Sequence, residues 1–274
     1  MKTKANKQKV PTSPPPIIFS KFLSIVDVFS FVNKTAILQE AKCFNDSQIN
    51  DKKCRLLLTR IVYLINQGER FLEVESTSLF FSITKLFQSN NYDLRRMIYL
   101  MIKELKSESS IYIITSSLTK DMNSKIDLFR MNALRTIPII IDPSNLLQIE
   151  RYIKNAINDK NPGIANAALL SGLHIFAGNR DLVKKWSNEI LEKLTSKYPA
   201  CHYHALVLLH EIKKHDTMSF IKVLVSLTKE PTTNIANIQL IRFIKEVLLG
   251  QETDIVTEKV NFSNIFRFIY PNFI

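Results

Sequence analysis

Between about residue 90 and residue 210 the chain returns to the same kind of segment at a nearly fixed interval. Ile98, Ala133, Ala168 and Ala205 are separated by 35, 35 and 37 residues, and each sits in a run of similar pattern: DLRRMIYLMI from Asp93, DLFRMNALRTI from Asp127, NPGIANAALLSGL from Asn161 and PACHYHALVLL from Pro199. Apolar residues within these runs recur at three- and four-residue intervals rather than alternating, which is the period of a helix. A unit of this length holds two helices, and its small or apolar anchor lets one helix approach its neighbour closely. Self-similarity at this period predicts an all-α chain, an α-solenoid of stacked antiparallel helix pairs of the HEAT or armadillo kind.

The same periodicity predicts helices over 50–67, 75–88, 92–106, 110–121, 126–140, 144–159, 162–176, 180–195, 199–214, 216–229 and 234–250, with a short one near 35–44. The first of these runs from Asn50, which can cap its start, to Gly68, which can end it, and Leu56, Ile61, Leu64 and Ile65 are expected on its inner face.

Such a chain has little room for nucleotide chemistry. Only five glycines occur in 274 residues, and neither G-x-G-x-x-G nor G-x-x-x-x-G-K-[ST] appears. Three cysteines, Cys43, Cys54 and Cys201, form no C-x-x-C and cannot all pair, so a reducing compartment is the simpler setting. The formal net charge is +12, and the first 60 residues carry 11 Lys or Arg against 4 Asp or Glu. Lys2, Lys4, Lys7 and Lys9 lead into a proline cluster and then an apolar stretch from Ile17 to Val32, which Lys21 and Asp27 interrupt. The stretch is too short and too interrupted for a membrane span, so the four lysines are the candidates for electrostatic contact with an anionic membrane surface.

Residues that could carry chemistry do not converge. His202, His204, His210 and His215 cluster beside Cys201, but their spacings do not place metal ligands on one helix face, and they read as half-buried structural histidines. Glu73 with Glu75 and Glu104 with Glu108 read as solvated surface, and Arg95 with Arg96 as ion-pairing residues. Trp186 is expected to fill a groove between helices while Lys184 and Lys185 stay wet. No catalytic residue, metal site or cofactor is assigned, and the chain is not expected to be an enzyme.

Particular strings then narrow the reading. AILQEAKCF from Ala36, LTRIVYLINQGE from Leu58, TKLFQSNNYDLRRMIYLMIKEL from Thr84, TSSLTKDM from Thr115, IERYIKNAINDK from Ile149 and YHALVLL from Tyr203 occur in an order that resembles the N-terminal trunk of the coatomer gamma subunits, in the adaptin and coatomer large-chain family. The resemblance covers about residues 35–225. It implies a non-enzymatic coat scaffold, cytoplasmic and peripheral on Golgi membranes and coated vesicles, serving retrograde Golgi-to-ER and intra-Golgi transport. Implied partners are the coatomer zeta, beta and delta subunits and an Arf-type small GTPase in its GTP form, with no nucleic acid expected. By analogy with related trunks, Phe81, Thr84, Lys85, Ile113, Ile114 and Ser117 are the candidate GTPase contacts.

The implied organisation is a disordered basic, Pro-rich tail over 1–16, an amphipathic segment over 17–34, a partial adaptin-type trunk over 35–250 and a divergent tail over 251–274. The segment from Ile17 to Phe31 and the string NFSNIFRFIYPNFI from Asn261 look unlike the family. A fragment, a truncated gene model with mistranslated ends and a real short paralogue all fit a trunk of this length. The alternative to a coat scaffold is a generic α-solenoid that binds nucleic acid or another acidic partner, and it rests on the +12 charge.

Overall fold

The computed structural model describes residues 33–105, 111–142, 145–214 and 233–250, with isolated positions 216, 219 and 223, and for 111–113 and 246–250 the backbone alone. The tails over 1–16 and 251–274, the apolar stretch Ile17 to Val32 and most of the helix expected over 216–229 lie outside the described residues. The chain forms two compact units, Met1–Leu105 and Lys106–Ile274. Twelve helices and no strand occur among the described residues.

In the first unit α1 (Lys34–Glu40) runs into a 3-10 turn (Ala41–Asn45), followed by α2 (Asp51–Asn66), α3 (Glu73–Lys85) with a 3-10 extension (Leu86–Gln88), and α4 (Tyr92–Leu105). Helix α2 lies against α4, α1 packs on α2, and α3 packs on α4 and on the first 3-10 turn. The Asn50 side chain accepts from Lys53 N, which satisfies one of the free N–H groups at the start of α2. Gly68, at φ 88°, ends the same helix in the left-handed region that a side chain disfavours. The inner face of α2 is Cys54, Leu57, Leu58, Ile61 and Leu64, while Leu56 is exposed and Ile65 half-buried. The expected face is therefore corrected at two positions. At roughly 100° per residue, Leu56 and Ile61 lie about 140° apart and cannot share one stripe.

In the second unit α5 (Ile111–Met122), α6 (Asp127–Ile140), α7 (Leu146–Ile157), α8 (Pro162–Gly178), α9 (Arg180–Lys184), α10 (Ser187–Leu194), α11 (Pro199–Lys213) and α12 (Asn234–Gly250) form two layers. Helices α6, α8, α11 and α12 pack each on the next, and α5, α7 and α10 cover α6, α8 and α11 in turn. This is a stack of antiparallel helix pairs, as the repeat predicts. All four anchors, Ile98, Ala133, Ala168 and Ala205, are 0% exposed.

The repeat period is also written into the polar contacts. Asn161 Nδ2 donates to Asp127 Oδ2 at 2.6 Å, Trp186 Nε1 to Glu150 Oε1 at 3.0 Å, and Arg55 Nη1 to Asp93 Oδ2 at 2.7 Å, across sequence separations of 34, 36 and 38. Each bond joins one helix to its counterpart in the following pair, so register is fixed by side chains as well as by the apolar interior. Ser171 Oγ adds a further one. Pro138 lies inside α6 and has no N–H for the carbonyl four residues back, and that carbonyl, Leu134 O, accepts from Ser171 Oγ at 2.6 Å across the α6–α8 contact. The hydroxyl has one hydrogen and shares it with Ala167 O at 2.8 Å.

The helix expected over 180–195 is divided between α9 and α10 at Trp186. Trp186 is fully buried and Lys184 and Lys185 are exposed, as expected for a ring wedged between helices.

Candidate functional site

Among the described residues of the first unit, helix α3 carries the most exposed apolar side chain, Val74, with Phe81 on the same face. Val74, Ser78, Phe81 and Lys85 follow one another at helical spacing, and Val74 is 81% and Phe81 42% exposed. Leu72, just before the helix, is also exposed. Beside this stripe runs a groove of about 270 Å³ between α3 and the α1 region, lined among others by Leu38, Ala41, Lys42, Val74 and Ser78. Leu79, Phe80 and Ile83 point the other way and are buried, so apolar residues occupy more than one face of α3. A helix that packs on one side only has no need of the second face.

The entry to α3 is held rigidly. Glu75 Oε2 accepts from Leu72 N at 2.9 Å and meets Lys34 Nζ at 2.7 Å, and Lys34 Nζ also donates to Arg70 O at 2.9 Å. The Lys34 hydrogen bond, with the Leu72 amide behind it, holds the Glu75 carboxyl below its usual pKa. Glu75 is thus a helix cap and a tie to α1 rather than plain solvated surface, which corrects that expectation for this residue.

Of the six residues expected to meet a GTPase, three lie on α3. Phe81 and Lys85 are exposed, and Thr84 is half-buried with its Oγ1 donating to Phe81 O at 2.6 Å. The other three lie on α5 in the second unit. Ser117 is half-buried, the side chain of Ile113 lies outside the described residues, and Ile114 is 0% exposed. Ile114 is a core residue: an isoleucine without accessible surface has nothing to offer a partner, so it leaves the candidate list. Sequence reasoning missed Leu72 and Val74, although Val74 stands seven residues before Phe81 and so on the same stripe.

Of the other candidates, Glu108 and His215 lie outside the described residues, and the rest resolve into structure. Arg95 is buried, with Nη1 donating to Phe87 O at 2.5 Å, Nη2 to Tyr99 Oη at 2.9 Å, and its guanidinium 4.5 Å above the Phe87 ring. It therefore braces the α3–α4 corner. His202 and His210 are buried and His204 is half-buried; His210 stacks on Phe243 with ring centroids 3.7 Å apart. Burial lowers the pKa of His202, opposed by its backbone hydrogen bond at Leu194, and burial likewise lowers that of His204. Among the described residues no group of three His, Cys, Asp or Glu side chains could hold a metal, and no helix is long and apolar enough to cross a membrane.

Comparison with known proteins agrees with the architecture. The family model for the adaptin N terminal region matches residues 33–273. That match continues beyond residue 225, as far as residue 273. The chain is 49% identical over 222 residues to a protein of Arabidopsis thaliana named coatomer subunit gamma, covering 80% of this chain and 25% of the relative. Proteins of the same name from Drosophila melanogaster and Dictyostelium discoideum are 43% identical over 245 residues and 42% over 229, covering 89% and 83% of this chain and 28% and 26% of the relatives. The chain spans about a quarter of the length of these relatives. With a stacked-pair fold, a repeat-length register and a family match over most of its length, the chain belongs to the adaptin N-terminal region family, in the branch that resembles the coatomer gamma subunits.

Proposed function

We propose that this chain acts as the N-terminal trunk portion of a vesicle-coat subunit, a non-enzymatic scaffold that joins a coat at Golgi membranes through a GTP-bound Arf-type GTPase. The observation that best supports this reading is the exposed stripe Val74–Phe81–Lys85 on α3, which offers apolar surface flanked by positive charge at a helix whose entry is pinned. A GTPase that exposes an apolar switch surface only in its GTP form binds such a stripe conditionally, and the difference in affinity between the two nucleotide states supplies the control. Zeta, beta and delta subunits are the proposed coat partners, and retrograde Golgi-to-ER and intra-Golgi transport the proposed setting. Lys2, Lys4, Lys7 and Lys9 add attraction to an anionic cytoplasmic leaflet, so that several weak contacts act together.

The test is a pull-down of the chain, co-expressed with a zeta subunit, on immobilised Arf-type GTPase loaded with a GTP analogue or with GDP. Retention on the GTP form alone, reduced at least tenfold by Phe81→Ala together with Val74→Ser, is expected. Equal retention on both nucleotide forms, or retention that the double variant leaves unchanged, overturns the assignment of α3.

A further inference from the structure

The groove beside α3 is apolar in what it leaves open. Asn45 Nδ2 donates to Ser82 Oγ at 3.2 Å, Ser82 Oγ donates to Ser78 O at 3.0 Å, and the Glu75 carboxylate is held by Lys34 and the Leu72 amide. Lys42, on the α1 side, is exposed to water. What remains for an occupant is Leu38, half-buried on α1, and Val74, 81% exposed on α3. An apolar side chain can enter there without stranding a hydrogen bond. Among the described residues α1 opens the helix array, and the end of a solenoid is where an apolar face needs a cap.

The stretch of chain that leads to this groove has a matching pattern. Residues 17–32 join the described structure at Asn33, the N-cap of α1, whose extended backbone (φ −101°, ψ 129°) turns what precedes it away from the α1 axis. Ile18, Phe22, Ile25 and Phe29 recur at intervals of four, three and four residues, which is one face of a helix, and Ser20, Ser24 and Asp27 fall on the opposite face. A helix of about 16 residues spans about 24 Å. Helix α1 and the 3-10 turn after it, seven and five residues long, together span about 20 Å. A reversal at Val32 and Asn33 lays one along the other, as in a pair of helices joined by a short loop.

We propose that the segment Ile17–Phe31 docks as an amphipathic helix antiparallel to α1, with Phe22, Ile25 and Phe29 entering the groove between Leu38 and Val74. Its tether is what favours it over other occupants. On so short a linker its effective concentration at the groove is about millimolar, so a few apolar side chains hold it where a free peptide would dissociate. Once docked, the segment covers Val74 and leaves Phe81, two turns further along α3, open to a partner. The docking stands whether or not α3 meets a GTPase.

The experiment follows amide hydrogen exchange of the full chain by mass spectrometry, on peptides covering 17–32, 34–45 and 72–82. In the unsubstituted protein the amides of 17–32 should exchange at least about tenfold more slowly than in Val74→Asp or in Ser78→Arg, which fills the groove. Both positions are exposed, and an aspartate suits the first turn of a helix, so exchange in α2 and α4 should not change. Phe22→Asp combined with Phe29→Asp should release 17–32 to the same degree, whereas Ser24→Asp, on the opposite face, should leave it slow. Dilution of the protein should make no difference. Unprotected exchange of 17–32 in the unsubstituted chain, or protection that survives both groove variants, overturns the proposal. So does protection lost on dilution, which gives the groove to a second copy, or protection gained only with anionic lipid vesicles, which gives the segment to a membrane.

Discussion

Gly172 tests whether the inner layer of the second unit is as closely packed as its small residues imply. It lies inside α8, where glycine is about 1 kcal/mol less favourable than alanine, so on propensity alone Gly172→Ala stabilises. A Cβ built there would stand 2.8 Å from Leu208 Cδ2 of α11 and 3.6 Å from Trp186 Cζ3. The second distance is an ordinary contact, but the first is about 0.7 Å inside the usual carbon–carbon separation. A leucine methyl is the movable end of a side chain, yet Leu208 is 0% exposed and cannot swing out into solvent. Overpacking of this kind costs about 1–3 kcal/mol. Set against the propensity gain, the net expectation is a loss of about 1 kcal/mol and a midpoint lowered by about 2–4 °C. Gly178, the last residue of the same helix, meets nothing within 4 Å, so Gly178→Ala should be neutral or raise the midpoint. Trp186 is the only tryptophan and is fully buried, so its emission follows this unit during thermal or urea unfolding. The decisive arm is Leu208→Ala, which removes the obstructing methyl. That change alone costs about 2–5 kcal/mol, but Gly172→Ala added to it should now stabilise. If Gly172→Ala still destabilises when Leu208 is alanine, or stabilises when Leu208 is present, the close α8–α11 approach is wrong.

Ser171→Ala should destabilise by about 1–3 kcal/mol, read by the same emission, because it strands the buried Leu134 carbonyl that Pro138 cannot serve; Pro138→Ala, which restores the N–H, should recover part of the loss. Ile114→Ala should lower stability by about 2–5 kcal/mol, whereas Phe81→Ala should change it by less than about 1 kcal/mol while reducing GTPase retention; comparable stability losses would mean that Phe81 is core. The pKa values of His202 and His204 are lower folded than unfolded, so the unfolded chain binds more protons and stability rises with pH. Their contribution is complete above about pH 6.5 and is lost as pH falls toward the folded values, so urea midpoints of the second unit should drop between pH 7 and pH 5 and His202→Gln should flatten the drop.

Helix positions were legible because they depend on local signals that sequence displays. Asn50 caps α2 by accepting from Lys53 N, Gly68 ends it at positive φ, and Pro162 opens α8 after Asn161, whose side chain accepts from Gly163 N. The stack was legible for a related reason: Ala133, Ala168 and Ala205 are small because the inner helices meet there, and equal spacing follows when equal pairs are stacked. Side-chain chemistry was much less legible. Arg95 and Arg96 are adjacent and chemically alike, yet Arg95 is buried between Phe87 and Tyr99 and Arg96 is exposed, a difference set by which side of α4 faces the corner with α3. The exposed stripe of α3, the proposed partner surface, falls between these cases. Val74 and Phe81 share a stripe that periodicity reveals, but so do Leu79 and Ile83, and only packing against α4 and the first 3-10 turn decides which stripe is left in water. In a solenoid the two faces of a helix are both apolar wherever one serves the stack and the other a partner. Sequence therefore locates a helix with two apolar faces, and the fold chooses which of them is left in water.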